Sequence, residues 1–569
     1  MKKQTKLFST LSAAALLTIG VSAVSMAAGW DNSTGVWRYL NNDGTEVTDT
    51  WKSANGNWFY LDSNGEMATN QLIEDNNNSQ TRYYYVDEYG AMVKNTWKAV
   101  ARDDGDDDLN AEYWWYYFGA DGKAYTTKNE GNLTVSKLKT IDGKKYAFND
   151  EGHMMYGWIK EDSLEQNDSD DSAWKDALYF ANGWNDGHIQ TGWAQLTVED
   201  DDETKEYWFY FGNDGKKQFN KRKKINGAYY HFADDGHMLT DWAVGTKSIE
   251  DSTGATASEI KYLNGDGSER KNKWVWAVPD EHADSISEAL QKDYDDDEYS
   301  WFYYDKSGNP TVNKIKKING KKYAFDQYGR MVIGFVAENA NGDIVALKKP
   351  SDYERNNILA DAWKISDDSS DAFDLDSDHK LYYFSNDEEK DGAMKKGYQT
   401  LTLDDTTAQF YFNTNSGVAE EGYVSKINKY CINGLVLAPT DDDDANYAAV
   451  VTNDISKGVK KIDVLGLAFG DDIPAATSTT AAVLVNKSGS IVKNKNKLKD
   501  NNDGYYVVNK EGIVLEYFAT ESAYDDFLTY QDKNGNDKKI SITTAMLKSA
   551  TTEDFEKLVD EALAAKQGK

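Results

Sequence analysis

Cysteine occurs once, at Cys431, in a chain of 569 residues. No intrachain disulfide can form, so packing alone must hold the fold. Proline is also scarce, at five residues, against 37 tyrosines and 17 tryptophans. That balance, with glycine placed at turns, suits short strands and tight turns. The six histidines are scattered. His153, His188 and His237 each follow a turn glycine, which makes them repeat positions rather than a triad or a metal site. There is no G-x-S-x-G, no H-E-x-x-H and no glycine-rich phosphate loop. Tryptophan stops at Trp363, and histidine is missing from the stretch after 440. Carboxylates are too numerous for a glycosidase pair to be singled out. No enzyme, catalytic residue, cofactor or metal site is therefore expected. Positive charge is in deficit: 63 Lys and Arg face 96 Asp and Glu, a net charge of −33. Such a surface repels nucleic acid and polyphosphates, tolerates neutral polymers and favours cations. It also serves plain solubility.

Long apolar runs are missing except near the start. Lys2, Lys3 and Lys6 precede the apolar stretch Leu11–Val24 and the small residues around Ala27, the pattern of a cleaved secretory signal over 1–27. Removing it takes away three lysines and no acid, so −33 becomes −36. A mature chain without a transmembrane anchor, exported to the cell surface or beyond, is expected.

What is abundant is repetition. In 206–242 an aromatic triplet (Trp208, Phe209, Tyr210), a polar turn ending in Gly215 and a short segment are followed by a second copy with Tyr229, Tyr230, His231 and Gly236. Matching Tyr210 to Tyr230 gives a repeat of about 20 residues, a period typical of stacked units too small to bury their own faces. Tyr117, Tyr210, Tyr303 and Tyr411 head larger cassettes, each with a companion copy at Tyr146, Tyr230, Tyr323 and Tyr430. Alternation in the triplets and the Asn-Gly and Asp-Gly turns predict hairpins around the glycine-ended turns. Acidic stretches at 103–108, 161–171, 199–203, 293–298 and 441–444 are expected to project as solvated loops. Asp374, Asp376 and Asp378 lack the glycine and distal glutamate of a calcium loop. The expected fold is all-β, an elongated solenoid of stacked hairpins. N-terminal repeats span 28–111, cassettes 112–440, and a smaller mixed region 441–569. The last ends in a helix capped by Thr551 or Thr552, with Phe555, Leu558, Val559 and Leu563 on its apolar face. Cys431 falls inside a strand copy, where a buried, inert thiol is expected.

One position recurs with particular regularity. Six or seven residues after each turn glycine stands an aromatic: Trp51, Trp97, Trp158, Trp193, Trp242, Trp274, Phe335, Tyr398 and Tyr423. Met67, Met92, Met154, Met238, Met331 and Met394 sit two places after such glycines. The order triplet, turn glycine, methionine, Gly-Trp resembles the cell-wall-binding repeats of Gram-positive surface proteins. That family includes choline-binding modules, glucan-binding modules of glucosyltransferases and the repetitive tails of clostridial toxins. The resemblance covers about 30–435 and, more weakly, 480–520. It implies a hairpin solenoid with ligands between neighbouring repeats, and partners that are choline-bearing teichoic acid or a glucan. It also implies three aromatic cages, formed by Trp51, Trp58 and Tyr60, by Trp97, Trp115 and Tyr117, and by Trp193, Trp208 and Tyr210, with Trp158 as a further Gly-Trp position. Ring quadrupoles hold a quaternary ammonium at about 0.5–2 kcal/mol per face, and a sugar lays its C–H face on an indole. Against this stands a purely structural use of the rings, which stack and bury between units. Phe335, Tyr398 and Tyr423 replace tryptophan and suit the glucan or toxin-tail type of repeat better. A structural or adhesive spacer, meeting a protein partner through acidic loops or the C-terminal region, is the alternative reading.

Overall fold

The computed structural model describes residues 28–76, 81–102, 112–127, 137–161, 172–248, 252, 255–277, 299–364, 372–373, 375, 378–385, 391–440, 443–453, 458–460 and 464–567. The signal segment, the acidic stretches 103–108 and 293–298 and most of 161–171 lie outside them. The chain divides into two compact units, one of residues 1–248 with 263–269, the other of 249–262 with 270–569.

The first unit is a run of antiparallel hairpins, among them Thr50–Ala54 with Asn57–Leu61, Gln71–Asp75 with Arg82–Val86, Thr96–Ala101 with Tyr113–Phe118, Gly192–Asp200 with Glu203–Phe211, and Lys221–Ile225 with Ala228–Phe232. The phase differs from the expected one. The two strands of a hairpin are the Trp segment and the triplet after it, so Trp51 stands opposite Tyr60, Trp97 opposite Tyr117 and Trp193 opposite Tyr210. The tight tips are dipeptides such as Asn226-Gly227, whose φ angles of 47° and 93° suit the right-handed twist of a two-residue hairpin. The glycine-ended polar turns instead link one hairpin to the next. Asp62 caps such a link through its side chain, accepting from the N–H of Asn64 at 2.8 Å and of Glu66 at 2.9 Å. Pairing also moves the repeat by one residue. Tyr210 corresponds to His231, opposite Arg222, and Tyr230 to Phe209. Because successive strand side chains point to opposite faces, that single step decides which neighbour each ring meets.

Backbone and side chain both tie hairpin to hairpin. The N–H of Met92 donates to the carbonyl of Trp58, that of Met154 to Trp115 and that of Met238 to Trp208, at 2.7–2.8 Å. The methionine chain then fills the space beside the next repeat's turn glycine. At Gly122 (φ +80°) a Cβ would lie 2.3 Å from Met92 Sδ. This accounts for the methionine–glycine spacing in the sequence. Gly122→Ala is expected to cost roughly 2 kcal/mol, from left-handed strain plus overpacking. Adding Met92→Ala should recover only the steric part, as a double-mutant cycle in chemical denaturation would read. Strict additivity would remove the contact as the cause.

One acidic stretch departs from the expected solvated loop. Residues 199–203 continue the two nine-residue strands to a turn at Asp201 and Asp202. Trp174, buried on the short helix Ala173–Asp176, donates its indole N–H to the Glu199 carbonyl at 2.8 Å. Asp200 is held by Lys175 at 2.8 Å and by the Tyr207 hydroxyl at 2.8 Å. Against the opposing pull of burial, these bonds bring its carboxyl down to about 2. Asp200 is the anchored carboxylate of the stretch, while Asp201, Asp202 and Glu203 at the tip are exposed.

The second unit begins with the same hairpins, Lys273–Ala277 with Ser300–Tyr304 and Lys314–Ile318 with Lys321–Phe325. It then thickens into conventional core. A buried cluster gathers Phe335, Tyr353, Ile358, Trp363, Leu381 and Phe410. Tyr447–Thr452 pairs on both sides, and Tyr505–Val508 joins another three-stranded sheet. Asp443, in the last acidic stretch, is bidentate to Arg355, at 2.7 and 3.0 Å. Cys431 is fully buried in Lys429–Ile432, and burial pushes its thiol far up, as an inert cysteine requires. The closing helix Thr552–Gln567 is capped by the Thr551 hydroxyl, which accepts from the Asp554 N–H at 3.1 Å. It buries Phe555 and Val559, but Leu558 is 37% exposed, a correction to the expected apolar face.

Candidate functional site

Where a Trp hairpin meets its successor in the stack, a seam of rings forms. Trp193 packs edge-on to Tyr210 across its own hairpin at 5.1 Å, and to Tyr230 of the next hairpin at 4.8 Å. Trp208 closes one side, its ring 6.3 Å from Trp193 and 42% exposed. The same construction recurs in Trp51 with Tyr60 and Tyr84 (5.2 and 5.0 Å), and in Trp97 with Tyr117 and Tyr146 (5.2 and 5.0 Å). In the second unit Trp274 repeats it with Tyr303 and Tyr323 (5.2 and 4.9 Å), flanked by Trp301 at 6.1 Å. Trp58, on the Tyr60 strand, is 43% exposed. Trp115, on the Tyr117 strand, is half-buried.

The residues of each expected cage thus share a single hairpin, and the neighbouring repeat supplies the fourth ring. Tyr84, Tyr146, Tyr230 and Tyr323 of the following hairpins, and Trp274, are not among the expected cage residues. The signal was the pairing phase. Counted from the hairpin tip rather than from the turn glycine, these tyrosines fall on the strand face that meets the preceding tryptophan. Trp193 and Trp208 flank the acidic stretch 199–203 in sequence and come side by side in the fold. They stand on the two strands of one hairpin whose acidic tip lies beyond them.

Trp158 is different. Its neighbours are Phe180 at 4.9 Å and Phe209 at 5.2 Å, with no tyrosine opposite it. Over its face, 5.5 Å from the ring centre, lies the ammonium of Lys217. Lys217 takes the place that methionine holds elsewhere and donates to the carbonyls of Trp174 and Asp235, both at 2.5 Å. Phe335 is fully buried, while Tyr398 is exposed and faces Tyr411 at 5.0 Å.

Electrostatically the Trp51 seam is acidic. Burial first, then the charges of Asp49, Asp75 and Asp62, raise the Tyr60 hydroxyl. Burial and then Asp266 raise that of Tyr230. Among the described residues no group of three or more His, Cys, Asp or Glu could hold a metal ion. No helix among them is long and apolar enough to cross a membrane.

This geometry defines a class, the hairpin-repeat proteins with aromatic seams between repeats. The choline-binding repeat family matches residues 27–72 and 47–97, and a cell wall binding repeat family matches 223–238. Glucosyltransferase-S of Streptococcus mutans serotype c is 25% identical over 280 residues, 47% of this chain and 15% of that protein. Glucosyltransferase-I of Streptococcus downei is 25% identical over 313 residues, 52% of this chain and 18% of that protein. The chain therefore spans only 15% to 18% of the curated relatives it matches. The modular autolysin LytC from Streptococcus pneumoniae aligns at 19% identity and a TM-score of 0.29, covering 55% of this chain and 54% of that one. The chain resembles the choline-binding and glucan-binding members of the cell-wall-binding repeat family.

Proposed function

We propose that this chain is an exported, non-catalytic protein that binds cell-wall polymer or extracellular polysaccharide through its aromatic seams. The observation that carries this reading is the recurrence of one three-ring construction, a tryptophan packed edge-on to a tyrosine of its own hairpin and to a tyrosine of the next. It is built on Trp51, Trp97 and Trp193 in the first unit and on Trp274 in the second. The flanking Trp58 and Trp208 are left open to solvent. Core packing alone would bury those two rings; a polymer needs them exposed. Repeated weak sites along one strand act together, so retention is set by effective concentration rather than by a single tight pocket. The matches to choline-binding repeats and to glucosyltransferases support a cell-wall or glucan ligand. The signal-like segment supports export.

The test is co-sedimentation of the full chain with purified Gram-positive cell walls and with insoluble glucan. Retention by at least one is expected, and retention by neither sinks the reading. Replacing Trp193, Trp208 and Tyr210 together by alanine should weaken retention by about tenfold, as loss of one of several linked sites. The Trp51 and Trp97 seams should meanwhile keep their native fluorescence. Global unfolding of the triple variant would mark those rings as scaffold.

A further inference from the structure

The strand between the two tyrosines of a seam carries one residue at a fixed place, and that residue differs between seams. In register it is the residue paired with Tyr84, Tyr146, Tyr230 and Tyr323: Ile73, Lys139, Lys223 and Lys316 respectively. At Lys223 and Lys316 the ammonium lies over a tyrosine of the hairpin before it. Lys223 Nζ is 5.4 Å from the centre of Tyr210, and Lys316 Nζ is 5.2 Å from Tyr303. Lys52, at the equivalent place after the Trp30–Tyr39 pair, lies 4.8 Å over Tyr39. Lys139 reaches Tyr125 at 5.4 Å, a ring that itself touches Tyr117 at 5.1 Å. Both Lys223 and Lys316 are drawn below the usual lysine range, chiefly by burial, which agrees with ammoniums set into the seam rather than waving in solvent. At Trp51 the place is taken by Ile73, 5% exposed. The nearby charges that act on Tyr60 are all carboxylates.

We propose that this one position sets the ligand class of each seam: lysine supplies a resident cation that excludes an ammonium ligand and leaves the Trp193 and Trp274 seams to uncharged sugar, whereas Ile73 leaves the Trp51 seam open to a quaternary ammonium. The physical basis is that a ring face attracts one cation, and a second ammonium about 5 Å away meets repulsion that low local dielectric strengthens. A pyranose carries no charge and stacks beside the lysine, which can donate to its hydroxyls. This inference rests on the polymer-binding reading above and divides its ligands between seams.

The test titrates the full chain with choline chloride by calorimetry and, in parallel, sediments it with insoluble glucan. Ile73→Lys should lower choline affinity at least about tenfold, with glucan retention unchanged; Ile73→Met, of similar bulk and uncharged, should keep choline binding. Lys223→Ile should add one choline per chain. The proposal is overturned if Ile73→Lys stays folded and binds choline as the natural chain does. It is also overturned if folded Lys223→Ile gains no site. Should Ile73→Lys fail to fold, the gain in Lys223→Ile decides. A natural chain that sediments with glucan yet ignores choline overturns the assignment of the Trp51 seam and leaves the polymer-binding reading standing. A chain that meets neither cell wall nor glucan removes both.

Discussion

Trp363→Ala is expected to destabilise the second unit by about 3–5 kcal/mol, the cost of emptying a fully packed indole site. Trp363 is 1% exposed and is wedged edge-on between Phe335 and Tyr353, both at 5.2 Å. Its N–H donates to Asp361 at 2.7 Å. Around it Ile358, Leu381 and Phe410 are also buried, so no neighbour can swing in from solvent to fill the void. Trp363→Phe keeps most of the apolar volume and should lose about half as much. Chemical denaturation followed by circular dichroism reads both. A loss below about 1 kcal/mol for the alanine variant would show that the cluster relaxes around the gap and is not the anchor of this unit.

That prediction depends on a distinction the sequence blurred. Phe335 occupies the same place in the repeat as Trp51 and Trp193, and by spacing alone it reads as a weakened member of the ligand series. Its strand, Gly334–Glu338, is paired on both sides, so the ring that faces a seam in a two-stranded hairpin faces a core here. Repeat period, hairpin composition and the aromatic positions were legible because they follow from local alternation and turn chemistry. Pairing phase was not. Each triplet has a glycine turn after it and a Trp segment before it, and only the bonded register says which is its partner. Met92, Met154 and Met238 could be seen to recur, but why they do was hidden, since each fills space beside a glycine of a later repeat. The seam tyrosines of companion hairpins were hidden for the same reason: Tyr230 and His231 are adjacent in sequence and opposite in facing. Lys223 and Lys316 carried no signal in the sequence that set them apart from neighbouring lysines, and only the fold lays them over rings.

Lys217 provides the second large effect, and its sign can be worked out. The side chain is buried at the methionine position of its repeat, held by backbone carbonyls and lying over Trp158 and Phe209 at 5.5 and 5.9 Å. Burial pulls its pKa from 10.5 down to about 8, with Asp235 and Asp176 resisting. Between those two values the unfolded chain binds a proton that the folded chain does not, so stability must rise as pH rises through this window. Below about 8 both states are protonated, the cost of burying the charge is fully present, and the slope vanishes. The gain across the window is at most about 3 kcal/mol for a shift of this size. Lys217→Met restores the residue found elsewhere in the series and should remove the slope. Denaturation midpoints of the two proteins, compared at steps from neutral to alkaline pH, isolate it, because tyrosine ionisation is common to both and cancels in the difference. Parallel profiles would mean that the carbonyls keep the ammonium charged in the fold. The slope also bears on ligand binding: a lysine that titrates with the stability of the first unit is part of its packing, and a Trp158 face already covered by it has no room for a second cation.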